Sequence, residues 1–182
     1  MNNNLPKIAL DFLQYIEPSL QTLDNPSILL YGSSAYGKTS SDLDICFICE
    51  NCSNDVLESL KIKTIQFQLE NHMILDAEVP YENKLIYTYS EIEQMLKNPP
   101  FPYINGKYEL TPIEKSKEYM HSQEMKYRLL FNILTTRSLL IYGNNVKIDN
   151  YKNIAWENLI KMIISYNNLI KIILDNIIPY LN

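Results

Sequence analysis

Ile28-Leu29-Leu30-Tyr31-Gly32-Ser33-Ser34-Ala35-Tyr36-Gly37-Lys38-Thr39-Ser40-Ser41-Asp42-Leu43-Asp44-Ile45-Cys46-Phe47-Ile48 reads as strand, tight polar loop, strand. The apolar run Ser27 to Tyr31 predicts a short buried strand, and Asp42 to Ile48 predicts a second. Between them Gly32 permits unusual backbone angles and the close approach of a ligand. Ser33 adds a hydroxyl and an amide where the first strand ends, and such loops suit phosphate oxygens because backbone N–H groups converge there. Asp42 and Asp44 are separated by one residue, so on a strand they project from the same face. Two carboxylates so close repel one another unless a cation lies between them. Oxygen-only ligands at that spacing suit Mg²⁺, which keeps some waters and takes its remaining ligands from substrate phosphates. A phosphate cradle beside an aspartate pair is the equipment for metal-assisted phosphoryl or nucleotidyl transfer.

Outward from this stretch, Leu5 to Leu23 predicts an amphipathic helix with Ile8, Phe12, Ile16 and Leu20 on one face and Pro18 inside it. Asp55 to Leu60 predicts at most a short helix. From Ile65 the residues alternate, Ile65, Phe67 and Leu69 against Gln66, Gln68 and Glu70, which predicts a half-exposed strand. Asn71-His72 would turn it into a returning strand from Met73 to Val79. Ser90-x-x-Glu93 predicts a capping box opening a helix through Lys97. Thr111-Pro112-x-Glu114 predicts another start, for a helix running to Tyr142 with a break near Ser122 and a stop at Gly143. A last helix is expected from about Tyr151 to Ile178. Strand signals fade after residue 88, which places a boundary between a core at 1–98 and a helical unit at 99–182.

Gly32-Ser33, eight intervening residues and then Asp42-x-Asp44, set between two apolar strands, resembles the signature of the nucleotidyltransferase superfamily that includes DNA polymerase β. The likeness is to its small bacterial members, the antibiotic and minimal nucleotidyltransferases, with a somewhat shorter loop than is common there. It covers about residues 25–80. The resemblance implies an α+β fold: a mixed β-sheet core with flanking helices, followed by an α-helical C-terminal domain that completes the substrate cleft. It implies that Gly32 and Ser33, with Lys38 in the same loop, hold a triphosphate, and that Asp42 and Asp44 bind Mg²⁺. It also asks for a third carboxylate on a later strand. Asp76 or Glu78 would fill that place, as ligand of a second metal or as base toward the attacking hydroxyl, with Asp76 favoured as the metal ligand. The implied activity moves a nucleoside monophosphate from an Mg·NTP, foremost ATP, to a hydroxyl on a small antibiotic-like acceptor, releasing pyrophosphate. The alternatives are an antitoxin that nucleotidylates a partner protein and a nucleotide-binding module without turnover.

Tyr36, Lys84, Lys126 and Arg128 are further candidates to reach the nucleotide, and Glu114, Glu118 and Glu124 further candidates for a base. Surface solvation is the default reading for most of these. The 182 residues carry 21 acids against 16 bases, and the only arginines are Arg128 and Arg137. A long nucleic acid, which needs many cationic phosphate contacts, is therefore not an expected partner. Apolar runs shorter than a membrane span and no recognisable leader predict a cytoplasmic protein without a membrane partner. Cys46, Cys49 and Cys52 have a metal-like spacing, but residues three apart on a strand face opposite ways, so structural thiols are expected. The last helix is apolar on most sides, with Trp156, Ile160, Ile163, Ile164 and Ile170 among its residues. Such a helix needs several neighbours or a subunit interface, and a homodimer through it is one expectation.

Overall fold

A computed structural model describes residues 5–36, 42–75, 79–100 and 116–177, with side chains through residue 172. The sheet has four strands: β1 (Ser27–Leu30), β2 (Ile45–Cys49), β3 (Ile86–Thr88) and β4 (Leu139–Tyr142). Their spatial order is β3-β2-β1-β4. β1 runs antiparallel to both β2 and β4, whereas β2 and β3 are parallel, so the sheet is mixed. Every residue of β1 and β2 is buried, as expected of strands covered on both faces.

Alternation along these strands feeds two separate cores. Ile28, Leu30, Ile45, Phe47 and Cys49 face one, where α1 (Lys7–Leu20) and α2 (Asn54–Glu70) pack. Phe12 of α1 meets Phe67 of α2 edge-on, with ring centroids 5.1 Å apart. Leu29, Cys46 and Ile48 face the other core, built with α4 (Tyr89–Lys97), α6 (Gln123–Thr135) and the start of α7 (Asn145–Ile177). The chain is thus a mixed sheet with helices on both faces and a long C-terminal helix, an α+β arrangement. Cys46 and Cys49 lie in opposite cores, so the C-x-x-C spacing does not converge. Burial pushes the thiols of both up to about 12. Among the described residues no helix is long and apolar enough to cross a membrane.

Several local expectations are corrected. Residues 65–70 are not a strand; they are the last turns of the 17-residue helix α2, which Ser53 caps. Residues 73–75 belong to no strand, and β3 takes the place beside β2 instead. The capping box falls two residues earlier than expected. Thr88 accepts from the Glu91 N–H at 3.1 Å, and Glu91 accepts from the Thr88 N–H at 2.8 Å. Ser122 does interrupt the later helix, by capping α6 after the short α5 (Lys117–Met120). Leu139–Tyr142 is not the end of that helix but β4, an edge strand against β1. The second half of the chain therefore contributes a strand to the sheet built by the first. Thr111, Pro112 and Glu114 lie outside the described residues.

Candidate active site

The site is built where β1 ends and β2 begins. After Leu30 the chain enters Tyr31 and Gly32, then makes a short 3₁₀ turn over Ser33–Tyr36. Gly32 has φ +61°, a left-handed conformation that disfavours any side chain. An added Cβ there would stand 2.8 Å from Cγ and 3.2 Å from Cβ of Asp44, overlapping the carboxylate. Glycine is thus favoured by its backbone angle, and it leaves the space that the Asp44 carboxylate fills.

Asp42 and Asp44 precede β2 rather than stand on it as the expected strand from Asp42 had them: Asp42 lies in a bend and Asp44 directly before Ile45. Leu43 between them is buried in the α1–α2 core. Asp42 and Asp44, both half-buried, line one crevice together with Leu43. Three hydrogen bonds fix the lead-in. The Tyr31 N–H donates to the Asp44 carbonyl at 2.9 Å, and the Ser34 hydroxyl donates to the Asp42 carbonyl at 3.2 Å. The Leu43 N–H donates to Oε1 of Gln68 at 3.2 Å. Gln68 in turn donates to the Tyr81 hydroxyl at 3.3 Å.

The crevice is small, with room of about 10 Å³, enough for one water-sized species. Besides the aspartates it is lined by Thr64 and Gln68 of α2 and by Tyr81 and Lys84 of α3 (Tyr81–Lys84). The Thr64 hydroxyl is buried and finds no hydrogen-bond partner among the described residues. Lys84 is only 8% exposed, and its ammonium lies 4.7 Å from the Tyr81 ring centroid. α3 is held in place by its neighbour: the Asn83 amide donates to the Met120 carbonyl at 2.6 Å. Lining the same crevice as two carboxylates, this buried ammonium offsets their negative charge.

The expected site residues divide as follows. Asp42, Asp44 and Lys84 line this crevice, Gly32 packs against the Asp44 side chain, and Ser33 begins the turn that follows Gly32. Lys38, Asp76 and Glu78 lie outside the described residues, as does Ser41. Tyr36 is exposed and stacks under the Arg137 guanidinium at 5.3 Å. Lys126 is paired with Glu91 at 2.6 Å. Arg128 donates to the Tyr119 hydroxyl at 2.6 Å, and that hydroxyl donates to Glu124 at 3.5 Å, so a tyrosine stands between Arg128 and Glu124. Thr64 and Gln68 were not singled out in the sequence, because their segment carried the alternation of a strand.

Among the described residues no three His, Cys, Asp or Glu side chains stand close enough to hold a metal ion by themselves. The residues that would hold Mg²⁺ are Asp42 and Asp44, whose carboxylate oxygens are ligands of the kind it takes, and the Lys84 ammonium lines the same crevice. No family model matches the chain, and no curated protein or solved structure matches it either.

Proposed function

We propose that the protein is a nucleotidyltransferase that moves a nucleoside monophosphate from an NTP, foremost ATP, to a hydroxyl of a small-molecule acceptor. The observation that carries this reading is the fit of Gly32 to Asp44. A loop glycine in the left-handed region leaves room for one carboxylate of an aspartate pair at the mouth of a strand–loop–strand unit. The hydrogen bonds to Gln68 and from Ser34 and Tyr31 support it by fixing the backbone that carries that pair. Preorganised groups of this kind do not have to be rearranged at the moment of reaction.

In this reading Asp42 and Asp44 hold Mg²⁺, which supplies charge neutralisation for the triphosphate. The Gly32–Ser33 backbone and the Ser33 hydroxyl bind phosphate oxygens, and the Lys84 ammonium offsets negative charge in the crevice. The acceptor oxygen forms a bond to the α-phosphorus as the bond to pyrophosphate breaks. Its proton passes to Asp76 or Glu78. Gln68 acts through the Leu43 backbone as a positioning residue.

Pyrophosphate release from Mg·ATP, measured with a panel of hydroxyl-bearing acceptors including aminoglycoside-like compounds, tests the proposal. Turnover by the wild type that is lost in Asp42→Ala and Asp44→Ala supports it. Nucleotide binding with no release toward any acceptor reduces the protein to a binding module. Turnover that survives both substitutions refutes the assignment of the aspartates.

A further inference from the structure

Helix α7 outruns the body it docks on. Ile148, Tyr151 and Ala155 are buried against α4 and α6, but beyond Leu159 the helix is exposed on most sides. Two stripes there keep a three–four spacing: Leu159, Met162, Tyr166 and Leu169, the last three of which line the groove beside Pro99, and a second stripe on the open side. Trp156, Ile160, Ile163, Asn167 and Ile170 follow one another at steps of four, three, four and three, and in the sequence Leu174 and Ile177 continue the rule. Trp156 is 48% exposed, Ile160 52% and Ile163 47%. A four–three alternation on the open side of the helix suits the seam of a two-helix coiled coil. At 100° per residue the stripe lies about a quarter to a third of a turn away from the docked side. It is also separate from the groove of about 450 Å³ between Pro99 and Tyr166.

The charges beside the seam say what covers it. Glu157 and Lys171 are both exposed, stand two heptads apart, and each follows a seam residue, Trp156 and Ile170, by one. They occupy the same flanking position of the heptad. In a parallel pair that position faces Leu159 and Tyr166 of the other helix, or Lys152, whose ammonium already donates to the Ser138 carbonyl at 2.7 Å. In an antiparallel pair it faces its own kind, and Glu157 of one chain meets Lys171 of the other, twice by symmetry. Antiparallel pairing also places the two globular bodies at opposite ends of the helix pair.

We infer that α7 is a dimerisation helix that pairs antiparallel with α7 of a second copy of this chain, along the Trp156–Ile170 seam. Asn167 is the single polar seam position within that range, and such a residue restricts register at some cost in affinity. The dimer is isologous, and its two Glu157–Lys171 pairs set helix direction more than strength.

Sedimentation equilibrium of the full chain, with and without seam variants, tests this independently of any enzymatic activity. The wild type is expected to dimerise, and Ile163→Asp, at an exposed position, to be monomeric with an unchanged circular dichroism melt. Glu157→Lys and Lys171→Glu should each weaken the dimer about tenfold, and the double exchange should restore it. A wild type that stays monomeric at ~100 µM overturns the inference and leaves the stripe to a different protein. A dimer that Ile163→Asp leaves intact overturns the seam. A dimer whose double exchange is no tighter than the single variants overturns the antiparallel direction.

Discussion

Replacing Gly32 by alanine separates the demands the site makes on that position. The left-handed backbone, φ +61°, costs an alanine about 1–2 kcal/mol relative to glycine. For a chain of this length each kcal/mol lowers the melting temperature by roughly 2–4 °C, so a fall of roughly 2–8 °C is expected. The added methyl also overlaps Asp44, but what it meets is the far end of a side chain. Asp44 can rotate away, so the clash adds little to the folding cost and instead moves the carboxylate out of the crevice. Gly143→Ala is the contrast. Gly143 has φ +105°, and a Cβ there would lie 2.6 Å from Cα of Ser27, a backbone atom in β1 that cannot rotate away. That variant should lose more stability than Gly32→Ala while leaving the aspartate pair alone. Thermal melts of the two variants, with calorimetric titration of Mg·ATP, give both readouts. Gly32→Ala is expected to be modestly destabilised with at least tenfold weaker Mg·ATP binding. If it melts with the wild type and binds unchanged, or if Gly143→Ala is the milder of the two, the steric reasoning fails.

Gln68→Leu removes the acceptor of the buried Leu43 N–H and should cost about 1–3 kcal/mol in urea denaturation, more than a similar change at exposed Gln66. Phe12→Ala empties the contact between α1, α2 and the sheet and should cost about 3–5 kcal/mol by the same measurement. The Cys46 thiol keeps its proton up to about 12 when folded but ionises near pH 9 when unfolded. Its contribution is therefore intact below pH 9 and declines above it, by about 1.4 kcal/mol per pH unit. Unfolding curves at pH 8, 9 and 10 should show a steeper decline for the wild type than for Cys46→Ala, and parallel declines would count against the burial assigned to this thiol.

The strand–loop–strand unit was legible because its signals are local: two apolar runs, a glycine where the turn is needed, and carboxylates at alternating positions. α2 was misread for a reason tied to the site. Its buried positions include Leu60, Thr64, Phe67 and Gln68, a helical spacing, but Thr64 and Gln68 are polar, while Ile62 and Leu69 on the same helix are about half exposed. A hydrophobicity pattern cannot show a helix whose inward residues are there to line a crevice and hold a loop. β4 failed differently: Leu139–Tyr142 is four apolar residues long, too short for strand and helix periods to be told apart. Its pairing with β1 is a contact across more than a hundred residues, which local pattern does not carry. Lys84 stood out only as one cation among several. Its burial beside Asp42 and Asp44 follows from α3 being pinned by Asn83 to the segment between α5 and α6.

A crystal structure of the protein with Mg²⁺ and a nonhydrolysable ATP analogue tests the central claim most directly. The account predicts metal density between the carboxylates of Asp42 and Asp44, triphosphate oxygens against the Gly32–Ser33 backbone, and Asp76 or Glu78 facing the α-phosphorus. Nucleotide bound elsewhere, such as in the groove beside α7, or an aspartate pair that holds no metal while the analogue is bound, would contradict it.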